Sequence, residues 1–348
     1  MVDSAAVASA SSDQRLRSAR RVPTREVFGL TDVGLVREGN EDALLVLEDE
    51  ALYVVADGMG GHACGEVASA FTIEAVRAFY LSADITKRVK AAHRRARSQS
   101  QDAASAKTPG TANASATEAT DGQDSLMAPE ISYHALRLRK AVESANISVY
   151  RLAQQHEQLR DMGTTVVAAS FVGSRVYVAN VGDSRVYRLR KNSLTHLTED
   201  HSLLNEYIKM NLLKPEEIEN FPYKNVIVRA LGLQESVAVD ITVATVRPGD
   251  QVLLCTDGLT DLVKDDEIKA VLLAHDTAEA ACHALTELAK DRGGHDNITT
   301  LLVRIHEGTA SSKSNARSTP LSTQGPPPLG LSGMPPPPPP GPAPVVLP

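Results

Sequence analysis

Tryptophan is absent from this sequence, and cysteine is scarce: Cys64, Cys255 and Cys282 are the only three in 348 residues. They stand far apart, odd in number and without a Cys-x-x-Cys pair. That pattern argues against a disulfide-stapled scaffold and a thiolate zinc site, and for reduced thiols in a cytosolic protein. Cys255 falls in an apolar run and reads as a small core residue. No stretch approaches the roughly 20 apolar residues of a membrane-spanning helix. Basic excess is missing too: the formal net charge is -7, so the electrostatic footprint of a nucleic-acid binder is not there. A secretory signal is also lacking, since residues 1–12 are Ala, Ser and Val with an early Asp3. The basic run 15–21 resembles a weak transit peptide; a solvated, disordered leader over 1–23 is the preferred reading, and cytoplasmic location is the expectation.

What is present is patterned. Residues 52–56, Leu-Tyr-Val-Val-Ala, make a strand-like apolar run that stops at Asp57, and Gly58, Gly60, Gly61 and Gly65 follow before a helical pattern opens at Glu66. A carboxylate at the end of a rigid strand, beside backbone free of Cβ atoms, can hold a hard cation through a side-chain oxygen and a glycine carbonyl. An aspartate-capped strand-to-helix turn is the plainer alternative.

Short strands are predicted at 27–33 and 43–47, and helices at 66–80 and, strongly basic, at 85–97. Residues 99–129 are Ala, Ser, Thr, Gly and Asp with little to bury, and are expected to form a disordered insert. Leu138, Val142, Ala145, Val149 and Leu152 then mark an amphipathic helix. Strands follow at 164–171, 175–181, 185–189 and 194–197, a polar helix-prone flap at 201–219, and strands at 237–246 and 251–255. Helices at 265–274 and 278–289 and a strand at 298–305 close the domain. This order predicts an α+β fold, a four-layer α-β-β-α sandwich of two antiparallel sheets flanked by helices, in one domain over 24–307. The tail 308–348 turns Pro-rich, with a proline run at 335–340. It is expected to be a disordered polyproline II rod, serving as a spacer or as a ligand for a partner's aromatic groove.

Three segments repeat one design. Asp57 ends a strand; Asp257 ends another and leads into Gly258-Leu259-Thr260-Asp261; Asp296 stands in Gly293-Gly294-His295-Asp296-Asn297 before the last strand. If these strands converge, the carboxylates repel one another and raise their own pKa values unless divalent cations intervene. Oxygen donors without a histidine pair favour Mg²⁺ or Mn²⁺ over zinc.

In order along the chain stand Arg37-x-x-x-Glu41-Asp42, Val55-Ala56-Asp57-Gly58-Met59-Gly60-Gly61, Met162-Gly163-Thr164-Thr165, Asn180-Val181-Gly182-Asp183-Ser184-Arg185, Thr256-Asp257-Gly258-Leu259-Thr260-Asp261 and Gly294-His295-Asp296-Asn297. Six blocks in this order closely resemble the metal-dependent serine/threonine protein phosphatases of type 2C, in their bacterial form, over about residues 26–305. The resemblance implies the same sandwich and a phosphatase catalytic domain. It implies hydrolysis of phosphoserine and phosphothreonine on cytosolic proteins by direct attack of a metal-activated water, using two Mn²⁺ or Mg²⁺ with a third weakly bound.

By the same resemblance, Asp57 bridges two ions, the Gly58 carbonyl completes one, and Asp257 and Asp296 hold the other. Glu41 and Asp42 act through water, Asp183 serves a third ion near Asp257 or Asp261, and Arg37 clamps the substrate phosphate. One departure stands out. Many eukaryotic relatives carry a histidine where this chain has Met59, so the general acid is open, with His62 or water as candidates. Plainer roles remain beside these: Asp183 could brace a hairpin, His62 could sit on the rim, and Arg185 could form a local ion pair. Asp49, Asp265 and Asp266 read as solvated turn residues, and Arg94 and Arg95 as a charged helix face. Expected partners are phosphoproteins that a Ser/Thr kinase has modified, met by a monomer without nucleic acid or membrane. The alternative reading is a catalytically silent binding module of the same fold; a hydrolase of small phosphoesters or nucleic acid comes third.

Overall fold

The apolar run at 52–56 is unbroken, rather than alternating, because both faces of its strand are covered. The computed structural model describes residues 23–60, 64–105, 132–218 and 221–308. One sheet runs in the spatial order β1 (Thr24–Asp32), β11 (Ile298–His306), β10 (Gln251–Cys255), β7 (Arg185–Arg190), β8 (Ser193–His196). The other runs β2 (Asp42–Leu47), β3 (Leu52–Met59), β5 (Val166–Val172), β6 (Arg175–Val181), β9 (Asp240–Thr245), with the short β4 (Gly163–Thr164) on the end of β3. The pairings are antiparallel.

Helices α1 (Cys64–Leu81), α2 (Ala83–Ser105) and α3 (Tyr133–Gln155) belong with the second sheet, while α7 (Asp265–Ala274) and α8 (Ala278–Asp291) cover the first. Between β8 and β9 lie the short α4 (Leu203–Lys209) and α5 (Pro215–Ile218), and α6 (Asp257–Thr260) is a single turn after β10.

Side chains of β3 divide by parity. Tyr53 and Val55 pack between the sheets with Val167, Val186, Leu254 and Leu301. Leu52, Val54 and Ala56 pack outward against Val76 and Phe79 of α1 and Leu138 and Val142 of α3. Each such fully buried Val or Leu contributes about 1.5–3 kcal/mol relative to an exposed one. The predicted four-layer sandwich is therefore the observed one.

Several boundaries shift by a few residues, among them β1, which begins at Thr24, and β9, which begins at Asp240; two shifts have a clear cause. Helix α2 continues to Ser105, into the stretch read as an unstructured insert from 99, because Ala, Gln and Ser prolong a helix already nucleated; residues 106–131 lie outside the described set. Strand β3 continues past Asp57 to Met59, because β4 supplies a partner for Gly58 and Met59. Residues 1–22 of the leader and 309–348 of the Pro-rich tail also lie outside the described residues.

Candidate active site

The ends of strands from both sheets meet at one edge and deliver carboxylates to it. Asp57 sits near the end of β3, and Asp42, at the start of β2, is its cross-strand partner. Asp183 follows β6, Asp257 opens α6 directly after β10, and Asp296 precedes β11.

Asp42 ties the two sheets together. Its Oδ2 accepts hydrogen bonds from Thr256 Oγ1 at 2.9 Å and Thr299 Oγ1 at 2.6 Å, both on the opposite sheet. Asp57 is fixed through its backbone. Its N–H donates to Thr165 Oγ1, and its carbonyl accepts from the Thr165 N–H and the Thr164 hydroxyl, both at 2.8 Å. The Thr165 hydroxyl lies 2.7 Å from that of Ser184, which couples this strand to the loop carrying Asp183.

Gly58 is required by close approach. A Cβ there would lie 2.0 Å from the Gly65 carbonyl oxygen and 2.6 Å from that of Glu41. The Gly58 N–H donates to that same Glu41 carbonyl at 3.0 Å. Asn297 holds the loop that carries Arg37 and Glu41: its Nδ2 donates to the carbonyls of Val33 and Gly39, and its Oδ1 accepts from the Glu41 N–H at 2.8 Å. Arg37 stands at the half-open rim and donates to Asp296 Oδ2 at 2.7 Å.

Crowding shows in the electrostatics. Burial first, then Asp42, Asp257, Asp183 and Asp296, push the Asp57 carboxyl well above its ordinary value. Burial pushes Asp42 up to about 7 against the opposing Thr299 and Thr256 hydroxyls. Burial, with Asp257 and Asp200, takes Asp183 to about 8. Burial, with Asp261 and Asp296, takes Asp257 to about 6. Glu41 and Asp261 are raised as well, each mainly by burial. Asp42 Oδ1, Asp183 Oδ1 and Asp257 Oδ1 are buried without any hydrogen-bond partner. Buried acceptors so placed call for a cation. Among the described residues no three side chains close into a finished ligand cage. The pocket thus offers charge and oxygen donors in abundance, and an ion would draw them together.

The sequence-derived set is therefore largely reunited. Asp57, Asp257 and Asp296 share one pocket with Asp42, Asp183 and Glu41, with Arg37 on its rim. Asp261 joins it, and its Oδ2 accepts from Asn225, between α5 and β9, at 3.0 Å. His62 lies outside the described residues. Arg185 forms the ion pair expected of it, donating from Nε and Nη2 to the Asp200 carboxylate. Asp265 is no simple turn residue: it accepts from the Tyr187 hydroxyl at 3.1 Å and meets His196 at 2.6 Å.

Sequence reasoning quoted Thr165 and Thr256 within the motif blocks without giving them a role, and did not name Thr299; the hydroxyls of all three organise the pocket, and hydroxyl residues at the ends of apolar strands beside the acidic motifs were the available signal. It also passed over His201. This buried imidazole accepts from the Gly182 N–H through Nδ1 at 3.0 Å and meets Asp240 through Nε2 at 3.1 Å, steadying the Asp183 loop from behind.

Fold and site define a class of protein: an α-β-β-α sandwich whose two sheets share one deep acidic pocket at a common edge. The family model described as protein phosphatase 2C matches residues 37–302, and the chain belongs to that family. It is 35% identical over 276 residues to the serine/threonine phosphatase stp of Listeria welshimeri, across 78% of this chain and 93% of that one. The crystal structure of the Mycobacterium tuberculosis serine/threonine phosphatase PstP/Ppp superposes with a TM-score of 0.63 at 30% identity, covering 81% of this chain and 99% of that one. A structure of the PstP catalytic domain in complex with 2 manganese ions matches with a TM-score of 0.60 at 31% identity, covering 82% and 100%.

Proposed function

We propose that the chain is a metal-dependent phosphatase that removes phosphate from phosphoserine and phosphothreonine in proteins. The observation that carries this reading is the convergence of Asp42, Asp57, Asp183 and Asp257 in one buried pocket, three of them with orphaned oxygens. Such a pocket is electrostatically self-opposed alone and compensated by divalent ions. An all-oxygen donor set suits Mn²⁺ or Mg²⁺.

Asp57, at the centre of the cluster, would be shared between two ions, with the Gly58 carbonyl, Asp257 and Asp296 completing the set. Asp42 and Glu41 would act from the second rank, and Asp183, beside Asp257 and Asp261, would take a third ion. A pair of ions matches the manganese pair in the PstP structure. When bound, the ions supply Lewis-acid charge to the phosphoryl oxygens and acidify water, the two effects that a slow phosphomonoester hydrolysis needs.

The chain's own residues do the rest. Arg37 orients the substrate phosphate with planar, charge-assisted hydrogen bonds from the rim. Asn297 keeps the Arg37 loop in register with the pocket. Met59 cannot donate a proton to the departing alcohol, so His62 or water takes that part. The catalytic domain spans 24–307, wider than the matched 37–302, because β1 from Thr24 is hydrogen-bonded to β11 along its whole length. A monomer is the expected working form. Among the described residues no helix is long and apolar enough to cross a membrane, and the net charge of -7 gives nucleic acid no footing. The natural partners are phosphoproteins modified by a Ser/Thr kinase.

The test is phosphate release from a phosphothreonine peptide with and without Mn²⁺. Release that requires Mn²⁺ and is abolished in Asp257→Asn is expected. Undiminished release by Asp257→Asn in the presence of a chelator would overturn the reading.

A further inference from the structure

The turn that leads into Arg37 is apolar where a surface turn is ordinarily polar. Residues 33–36 read Val-Gly-Leu-Val, without a single polar side chain, whereas Asn, Asp, Ser and Pro join Gly in most exposed turns. Val33, Leu35 and Val36 are 36%, 61% and 62% exposed. None of them belongs to the apolar clusters that fill the layers. A lone exposed apolar side chain needs no explanation. Three among four consecutive residues, next to the arginine assigned to the substrate phosphate, do.

The turn cannot fold these side chains away, because its backbone is fastened to the loop of Asp296. Gly34 sits at φ +78°, and a Cβ there would lie 2.2 Å from the Asp296 carbonyl oxygen and 2.7 Å from that of Gly294. The Gly34 N–H donates to Asp32 Oδ1 at 2.9 Å, and the Leu35 N–H donates to the Gly294 carbonyl at 2.8 Å. Asn297 Nδ2 donates to the Val33 and Gly39 carbonyls, one on each side of Arg37 in the chain. The Leu35 side chain lies over buried Gly294, where an added Cβ would come within 3.1 Å of its Cγ. Arg37 itself meets Asp296. A surface held this way is already ordered, so covering it costs little further entropy.

We infer that Leu35 and Val36 form an apolar subsite for the substrate residues that immediately flank the phosphoresidue. The enzyme then favours a phosphorylated site with large aliphatic neighbours over one with polar neighbours. This deepens the phosphatase reading and rests on it: Arg37 takes the phosphate, and the turn beside it reads the adjoining sequence. The spacing agrees. Val36 and Arg37 are consecutive, their Cα atoms about 3.8 Å apart, and a phosphoresidue stands at the same distance from its own neighbours. With the phosphate on Arg37, side chains one or two positions away come within reach of the turn. Covering an aliphatic side chain by about half corresponds to roughly fivefold to tenfold in affinity.

The experiment compares two phosphothreonine peptides of equal charge, one with leucine on both sides of the phosphothreonine and one with glutamine. Steady-state kinetics is measured with the Mn²⁺-loaded full chain and its Leu35→Ser, Val36→Ser and Leu35→Met variants. Para-nitrophenyl phosphate, which has no flanking residues, reports on the pocket alone. Wild type should show a KM about fivefold to tenfold lower for the leucine peptide, at similar kcat. The serine variants should raise that KM towards the value for the glutamine peptide, Leu35→Met should keep the preference, and the small ester should be hydrolysed as by wild type. Equal kcat/KM for the two peptides in wild type, or an undiminished preference in both serine variants, overturns the proposal. So does an equal fall for all three substrates, which marks displacement of Arg37 instead of a lost contact. Faster peptide turnover in the serine variants would mean that the chain's own Pro-rich tail covers the turn, and a KM that moves with enzyme concentration that a second copy does; either result overturns it as well. Failure of wild type to hydrolyse any of the three defeats the phosphatase reading and this inference together, whereas turnover without preference defeats the inference alone.

Discussion

Removing divalent ions should make the fold less stable as pH rises, the reverse of ordinary acid denaturation. The Asp42 carboxyl is raised from 3.8 to about 7, mainly by burial. A folded-state value above the unfolded one means that the native chain binds the extra proton. Its stabilising effect is complete below the ordinary carboxylate range and is lost as pH climbs through the raised value. For Asp42 alone the shift amounts to roughly 4 kcal/mol. Its neighbours share protons with it, so one net proton across the window is the safer count, about 1.4 kcal/mol per pH unit. From pH 5 to 7 that sums to about 3 kcal/mol, or a melting temperature lower by about 6–12 °C for a domain of this size.

Buried His201, whose pKa is lowered mainly by burial, pulls the other way over the same range. It does so with or without metal, so the difference between the two slopes isolates the pocket. Asp240 and Asp265, both lowered, lose their partners only below about pH 4. The assay is thermal unfolding at pH 5, 6 and 7 in EDTA and in Mn²⁺. The expected result is a falling melting temperature in EDTA, a flat or rising one in Mn²⁺, and a shallower EDTA slope for Asp42→Asn. Parallel slopes in the two conditions would refute the reasoning.

Other substitutions probe separate parts of the site. Arg37→Ala should raise KM for a phosphopeptide by about tenfold or more, and Arg37→Lys should recover only part of the loss, because a lysine lacks the planar fork; steady-state kinetics decides. Gly58→Ala puts a Cβ 2.0 Å from the Gly65 carbonyl oxygen, a backbone atom that cannot swing away. A loss of about 3 kcal/mol or more in urea unfolding is expected. Thr299→Val keeps the shape but removes one of the two hydroxyls donating to Asp42 Oδ2; about 1–3 kcal/mol of stability at pH 7 in EDTA should go with it.

The layers of this fold were legible because most of its segments are short and strongly patterned. Continuous apolar runs such as 52–56 and 251–255 announced strands covered on both faces, and the stripe Leu138, Val142, Ala145 announced α3. The face of α1 was less clear. Large apolar side chains ordinarily mark the buried face of a helix, yet Ser69 is 1% exposed while Val67 and Phe71 are only half-buried. The helix lies between the sheet and α3, so small Ala68, Ser69 and Thr72 fit where large side chains would not. The pocket's acids could be found because each stands beside glycine or at a strand end. Their depth could not: the burial of Asp42 depends on Thr256 and Thr299, contacts separated by 214 and 257 residues.

The most direct examination of the acidic pocket is a crystal structure of the Mn²⁺-soaked chain, with anomalous scattering recorded at the manganese absorption edge. Two strong peaks flanking Asp57, within ligand distance of Asp257 and Asp296, are expected, with any weaker third peak beside Asp183. Manganese bound elsewhere, or a pocket that stays free of it at saturating concentration, would contradict the assignment of these carboxylates.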